Sequence, residues 1–193
     1  MHILGISGSL RKNSLNTAAL RACQALLPPG VSMEITDLID VPIYNDDVRE
    51  HGLPVSVKLL REKIAAADAL VIASPEYNYS MSGVLKNAID WVSRPPGQPF
   101  DGKPIALLGA TPGGVGTSRA QYHLRQVFVY LNGLVMNKPE LMISSAPAKF
   151  DADGKLIDSV TAEQISQMLT ALVVWQKKLA RRCSGLRTTT LCA

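Results

Sequence analysis

Three short, almost uninterrupted apolar runs govern what this chain can fold into: HILGIS at 2–7, ALVIAS at 69–74 and PIALLGA at 104–110. A strand with one wet face alternates apolar and polar residues, so unbroken runs this short read as strands covered on both faces. VSMEITDL at 31–38 alternates only in part and suits a place nearer a sheet edge. Helical segments fall between the runs, at 14–27, 55–67, 83–93, 118–132 and 161–182. In VSVKLLREKIAAA, the residues Val57, Leu60, Ile64 and Ala67 recur at steps of three and four and so share one helical face. Strands that alternate with helices pair in parallel through right-handed crossovers. A fifth strand is expected within LVMNKPELMIS at 134–144, at an edge or broken, because Pro139 has no N–H to give a ladder.

Five strands and five helices in this order predict an α/β fold, a flavodoxin-like three-layer sandwich with a five-stranded parallel sheet in the order 2-1-3-4-5. The chain of 193 residues shows no linker or repeat, which predicts a single domain over 1–183 followed by a frayed tail, SGLRTTTLCA, at 184–193. PAKFDADGKLID at 147–158 reads as a polar excursion or short hairpin. Hydrophobic residues at 47% and charged ones at 19% are ordinary for a soluble globular domain. No apolar stretch approaches the roughly 20 residues that span a bilayer, so no membrane partner is expected. MHILGISGSL carries neither a basic leader nor a small-residue cleavage site, which predicts a cytoplasmic protein. Cys23, Cys183 and Cys192 lack CxxC spacing and suit a reducing compartment, with Cys23 as a small core residue. The net charge is +4, but the basic residues are scattered. Lys177, Lys178, Arg181 and Arg182 gather where the last helix ends and its dipole favours cations, so no nucleic-acid partner is expected. His2, His51 and His123 are dispersed, with no metal-ligand spacing.

In an open parallel sheet, ligands sit beyond the carboxyl ends of the strands, where the strand order reverses. GISGSLRKNSLNT at 5–17 joins the first strand to the first helix there. Ser9, Ser14, Asn16 and Thr17 supply short donors, Arg11 supplies a cationic fork, and a helix N-terminus supplies free amides. That set suits a phosphate monoester, although any such loop also needs a cap and a turn. GxxxxGK[ST], GxGxxG and GxSxG are all missing, which argues against a P-loop, a dinucleotide fingerprint and a nucleophile elbow. SPEYNYSMSG at 74–83 presents Glu76, Tyr77, Asn78, Tyr79 and Ser80 at the next edge, where tyrosines can cover a planar ring or merely anchor the loop. ATPGGVGTSRAQYH at 110–123 brings Gly113, Gly114 and Gly116, which leave room for a flat ligand and also make good turns. The order 2-1-3-4-5 makes these three loops neighbours.

The stretches GSLRKNSLNT, PEYNYSMSGVLKNAIDW and TPGGVGTSR resemble the NADPH-dependent FMN reductase family, and QYHLRQ and MNKPE resemble its bacterial quinone and chromate reductase branch. The resemblance covers about residues 2–182. It implies that Ser9, Arg11, Ser14, Leu15, Asn16 and Thr17 hold the FMN phosphate through side chains and helix amides. Pro75, Glu76, Tyr77 and Asn78 would border the isoalloxazine ring, chiefly through backbone, and Thr111, Gly113 and Gly114 would close its pyrimidine side. Tyr79 and Ser80 would shape the substrate side. The chain has Ser82-Gly83 where the family often has Pro-Gly. The implied activity is transfer from NADPH or NADH to bound FMN and then of two electrons to quinones, chromate, azo compounds or free flavin. The flavin N5 carries the hydride in that scheme, with no catalytic side chain and no metal. The resemblance also implies a homodimer or homotetramer, with Arg119, Tyr122 and Glu140 either in a polar network across the interface or in salt bridges within the chain. The competing reading is a flavodoxin-like electron carrier that serves protein partners; such carriers are usually acidic, and this chain is basic.

Overall fold

The computed structural model describes residues 1–187. Its elements, in chain order, are β1 (His2–Ser7), α1 (Leu15–Ala25), β2 (Ser32–Thr36), α2 (Asp46–Glu50), α3 (Val55–Ala66), β3 (Ala69–Ala73), β4 (Glu76–Tyr77), β5 (Ser80–Met81), α4 (Gly83–Val92), β6 (Pro104–Ala110), α5 (Ser118–Tyr130), β7 (Leu134–Val135), β8 (Leu141–Ile143), a 3-10 turn (Ala146–Ala148) and α6 (Ser159–Arg187). The main sheet runs β2-β1-β3-β6-β7, with β8 also on β6, and every pairing in it is parallel. This is the expected 2-1-3-4-5 order with its last strand split.

The unbroken apolar runs are explained by two cores, one on each face of the sheet. Ile3, Val71, Ala106 and Leu108 pack under α1 and α6, against Leu20, Cys23, Ile165 and Leu169. Leu4, Ile6, Leu70, Ile72, Ile105 and Leu107 face the other way, onto α3, α4 and α5 through Leu60, Ile64, Leu85, Leu124 and Phe128. Successive strand residues point to opposite faces, so a strand with a core on each side has no polar position to offer. β3 and β6 are buried along their whole lengths. Cys23 belongs to the first core, and burial pushes its thiol up to about 12, which leaves it unreactive at neutral pH.

The fifth strand breaks where Pro139 falls, and β7 and β8 use different stretches of the β6 edge. Arg125 spans the gap, donating to Met136 O at 3.1 Å and pairing with Glu140 at 3.4 Å. The excursion at 147–158 closes as a hairpin through the Phe150–Leu156 bridge. Two elements come as additions: the short α2, capped by Asn45, and the β4–β5 hairpin. α6 continues to Arg187, past the expected boundary at 183, whereas residues 188–193 of the expected tail, with Cys192, lie outside the described residues. No described helix is long and apolar enough to cross a membrane, and no group of metal-ligating side chains occurs among the described residues.

Candidate functional site

β1 ends at Ser7, and the chain turns at Gly8, whose N–H donates to Ala73 O at 2.8 Å. α1 then starts at a Ser14 cap, whose Oγ accepts the amides of Asn16 at 3.2 Å and Thr17 at 3.3 Å. The amide of Leu15, at the first helical position, has no carbonyl to bond within the helix. Arg11 is exposed; its guanidinium donates to Asn13 O at 2.8 and 3.1 Å and has no carboxylate partner among the described residues. The Ser9 Oγ accepts the Arg11 amide at 3.4 Å, and the Thr17 and Ser7 hydroxyls lie 2.7 Å apart.

Asn16 departs from its expected role. Its side chain is buried and turned into the protein, where Nδ2 donates to Ala110 O at 3.0 Å and Oδ1 accepts the Ala110 N–H at 2.9 Å. It therefore ties the first turn of α1 to the end of β6, and its carboxamide is not available to a phosphate.

The second loop is a two-residue hairpin. Asn78 (φ 50°) and Tyr79 (φ 68°) both adopt the left-handed conformation that a type I′ turn requires, which asparagine tolerates and tyrosine seldom does. The first turn of α5 holds it in place. The Glu76 carboxylate accepts the Arg119 and Ala120 amides at 3.0 and 3.1 Å and pairs with the Arg119 guanidinium at 3.2 Å. The same guanidinium stacks on the Tyr79 ring at 3.9 Å, and Ser80 Oγ lies 3.0 Å from His123 Nδ1. Arg119 and Glu140 thus each have an ion-pair partner within the chain, Glu76 and Arg125, while Tyr122 is half-exposed.

Ser82 joins the first two loops. Buried, it donates from Oγ to Gly8 O at 2.6 Å, accepts the Leu85 amide at 3.2 Å as the α4 cap, and donates its own N–H to Ser74 Oγ at 3.4 Å. A proline at this position would have neither the hydroxyl nor the N–H.

In the third loop, the Thr111 amide donates to Ile143 O at 3.0 Å. A Cβ on Gly114 would meet nothing within 4 Å, and one on Gly113 only Thr111 Oγ1 at 4.0 Å, so both glycines border open space. The three loops meet: Ser9, Arg11, Ser14, Leu15 and Asn16, then Pro75, Glu76 and Tyr77, then Thr111 with its neighbours line one crevice of about 140 Å³. Thr17, Asn78, Gly113 and Gly114 lie outside that lining, and Tyr77 and Tyr79 stand exposed at the hairpin. Ser82 suits a helix N-cap by its type and place and is one, but sequence reasoning missed its bonds to Gly8 and Ser74 and the Ser80–His123 contact, because those partners come from other loops.

Residues 1–148 match the family model described as NADPH-dependent FMN reductase. The chain is 58% identical over 177 residues to an NAD(P)H-dependent FMN reductase of Pseudomonas aeruginosa, covering 92% of this chain and 96% of that one. It is 44% identical over 174 residues to the quinone reductase of Escherichia coli K12, covering 89% and 93%. Among solved structures it superposes on FerB, a flavoenzyme NAD(P)H:(acceptor) oxidoreductase from Paracoccus denitrificans, with a TM-score of 0.83 at 36% identity, covering 92% and 97%.

Proposed function

The chain belongs to the NADPH-dependent FMN reductase family, and from that premise we propose that the crevice between its three loops is the FMN site. The protein is an NAD(P)H-dependent oxidoreductase with FMN as cofactor and quinones or similar small molecules as acceptors. The observation that carries the site is the meeting of a cationic, capped helix end with the hairpin loop and the Ala110–Pro112 turn in one crevice.

The residues fit the group. Arg11, which has no carboxylate to neutralise it, turns from Asn13 O to the phosphate, beside the Leu15 amide and the hydroxyls of Ser9, Ser14 and Thr17. Asn16 contributes its main chain only. Pro75, Glu76, Tyr77 and Asn78 border the ring by backbone, since the Glu76 carboxylate is committed to α5. Gly113 and Gly114 offer main-chain donors to the electron-rich edge of the reduced ring, whereas the Thr111 amide is committed to Ile143 O and its hydroxyl is what faces the site. When bound, FMN supplies the two-electron chemistry, taking electrons from NAD(P)H and handing them on. Tyr79 and Ser80, pinned by Arg119 and His123, shape the side where substrates enter.

The purified protein, kept free of oxygen, is expected to lose its flavin absorption on adding NADPH or NADH and to regain it on adding a quinone. A colourless protein that takes up no FMN would overturn the reading, and a yellow one that neither nucleotide bleaches would be a carrier. Arg11→Ala is expected to weaken FMN binding by about 1.5–3 kcal/mol, the range of a hydrogen bond to a charged group. Fluorescence titration with FMN measures it, and an unchanged affinity removes Arg11 from the phosphate.

Chromate and azo compounds are further acceptors, because a bound flavin passes two electrons to any suitable small molecule that reaches its ring, and an acceptor panel tests them. We read residues 1–183 as one domain, since both cores share one sheet. NAD(P)H dependence and the free, buried Cys23 thiol support a reducing cytoplasmic setting. A homodimer or homotetramer is supported by an exposed stripe on α5, where Tyr122, Val129 and Tyr130 fall on one face. Tyr130, 88% exposed, is the residue to test: Tyr130→Glu is expected to shift the light-scattering mass towards the monomer.

A further inference from the structure

The crevice continues past its phosphate end. A second hollow, of about 270 Å³, shares Arg11, Ser14 and Leu15 with it and runs beside α1 to Arg21, under Phe150 and Gly154 of the 147–158 hairpin. There it joins a third, of about 400 Å³, through Arg21, Asp153 and Gly154. The third hollow is walled by Ala22, Ala25, Leu26 and Leu156. Leu15 to Ala22 is two turns of α1, so the path extends about 10 Å beyond the loop mouth.

Its chemistry changes in order along that path. Arg11 lies at the flavin end, Arg21 and Asp153 line both of the next two hollows, and the last hollow adds the apolar wall with Lys155 beside it. Neither Arg21 nor Asp153 has an ion-pair partner among the described residues. Asp151, also in the groove, is committed to its own turn: its carboxylate accepts the Asp153 and Lys155 amides at 3.0 and 2.8 Å. The groove is therefore preformed, with a cation, a carboxylate and an apolar hollow left free.

We propose that this groove is the subsite for the adenylate half of a flavin dinucleotide, so that the chain binds FAD as well as FMN. The inference rests on the FMN site described above. The phosphate next to the flavin sits at Arg11, the second phosphate reaches Arg21, the ribose hydroxyls donate to Asp153, and adenine lies against Ala25, Leu26 and Leu156. NADPH also carries an adenylate, but its nicotinamide must reach the ring, and the groove leaves from the opposite end of the flavin.

The flavin-stripped full chain is titrated with FMN and with FAD. Ala25→Trp fills the hollow from an exposed position at the end of α1, and Arg21→Gln removes the second cation. Each is expected to weaken FAD binding about tenfold or more while FMN affinity stays within about twofold and the KM for NADPH is unchanged. If FMN binds but FAD does not, or if FAD affinity ignores both substitutions, the subsite is overturned and the FMN site stands. A raised KM for NADPH with FAD affinity intact assigns the groove to the nicotinamide nucleotide and overturns it equally. Failure of FMN itself to bind removes both readings.

Discussion

Asn16→Ala is expected to lower the unfolding free energy by about 3 kcal/mol, because both polar groups of the Ala110 peptide lose their partner together. The site is 4% exposed, so water cannot replace the carboxamide without opening the structure. A buried donor and a buried acceptor left unpaired cost about 1–3 kcal/mol each, and the vacated volume adds a cavity term. Asn16→Asp has nearly the same shape, but an ionised carboxylate cannot donate to Ala110 O at the position where Nδ2 now does. It is expected to be worse than alanine at neutral pH and to recover as the carboxyl is protonated. Urea unfolding of the flavin-free chain measures both, free of the stability that a bound ligand adds. A loss below about 1 kcal/mol for Asn16→Ala would show that the bridge between α1 and β6 contributes only what an ordinary hydrogen bond does.

Gly109→Ala is the second large effect. A Cβ there would stand 1.8 Å from Thr117 Oγ1 and 2.6 Å from the Ser74 carbonyl oxygen. Thr117 is buried and holds the left-handed turn (φ 67°) that leads into α5, and Ser74 leads into the hairpin, so neither neighbour has space to withdraw. Overpacking of this kind costs about 1–3 kcal/mol and occasionally more, and the upper end is expected where the obstacle is backbone. The same clash pushes the second and third loops apart, so FMN affinity falls with stability. Gly114→Ala is the control: its Cβ meets open space, and its stability is expected to stay within about 0.5 kcal/mol of the parent chain. Thermal unfolding of both variants separates them, and equal losses would remove close packing as the reason for glycine at 109.

How far each feature was legible in the sequence follows the range of the interaction behind it. The strand runs were legible because burial on both faces erases polar alternation within five to seven consecutive residues. Pro139 marked the broken strand through a missing donor, a property of one residue. The phosphate loop, the tyrosine loop and the glycine loop were recognisable as segments. The hairpin inside the second loop was not, since its left-handed Tyr79 depends on Glu76 and Arg119, which lie 43 residues apart. Asn16 looked like a ligand because its type and place suit a phosphate, yet its partner is Ala110, 94 residues away. Ser82 reaches 74 residues back to Gly8, which is how a serine supplies the rigidity that the family resemblance would assign to a proline.

Local residue types and their spacing determined the strands, their alternation with helices and the three loops that follow them, because periodicity and turn chemistry act over a few neighbouring residues, while the strand order came with the flavodoxin-like fold type that this alternation fits. Only the tertiary structure decided which polar side chains face a ligand and which hold the loops together. Arg11 stays free of carboxylates while Asn16, Glu76 and Arg119 are bound into the scaffold, because a buried polar group must be satisfied by whatever partner packing brings to it.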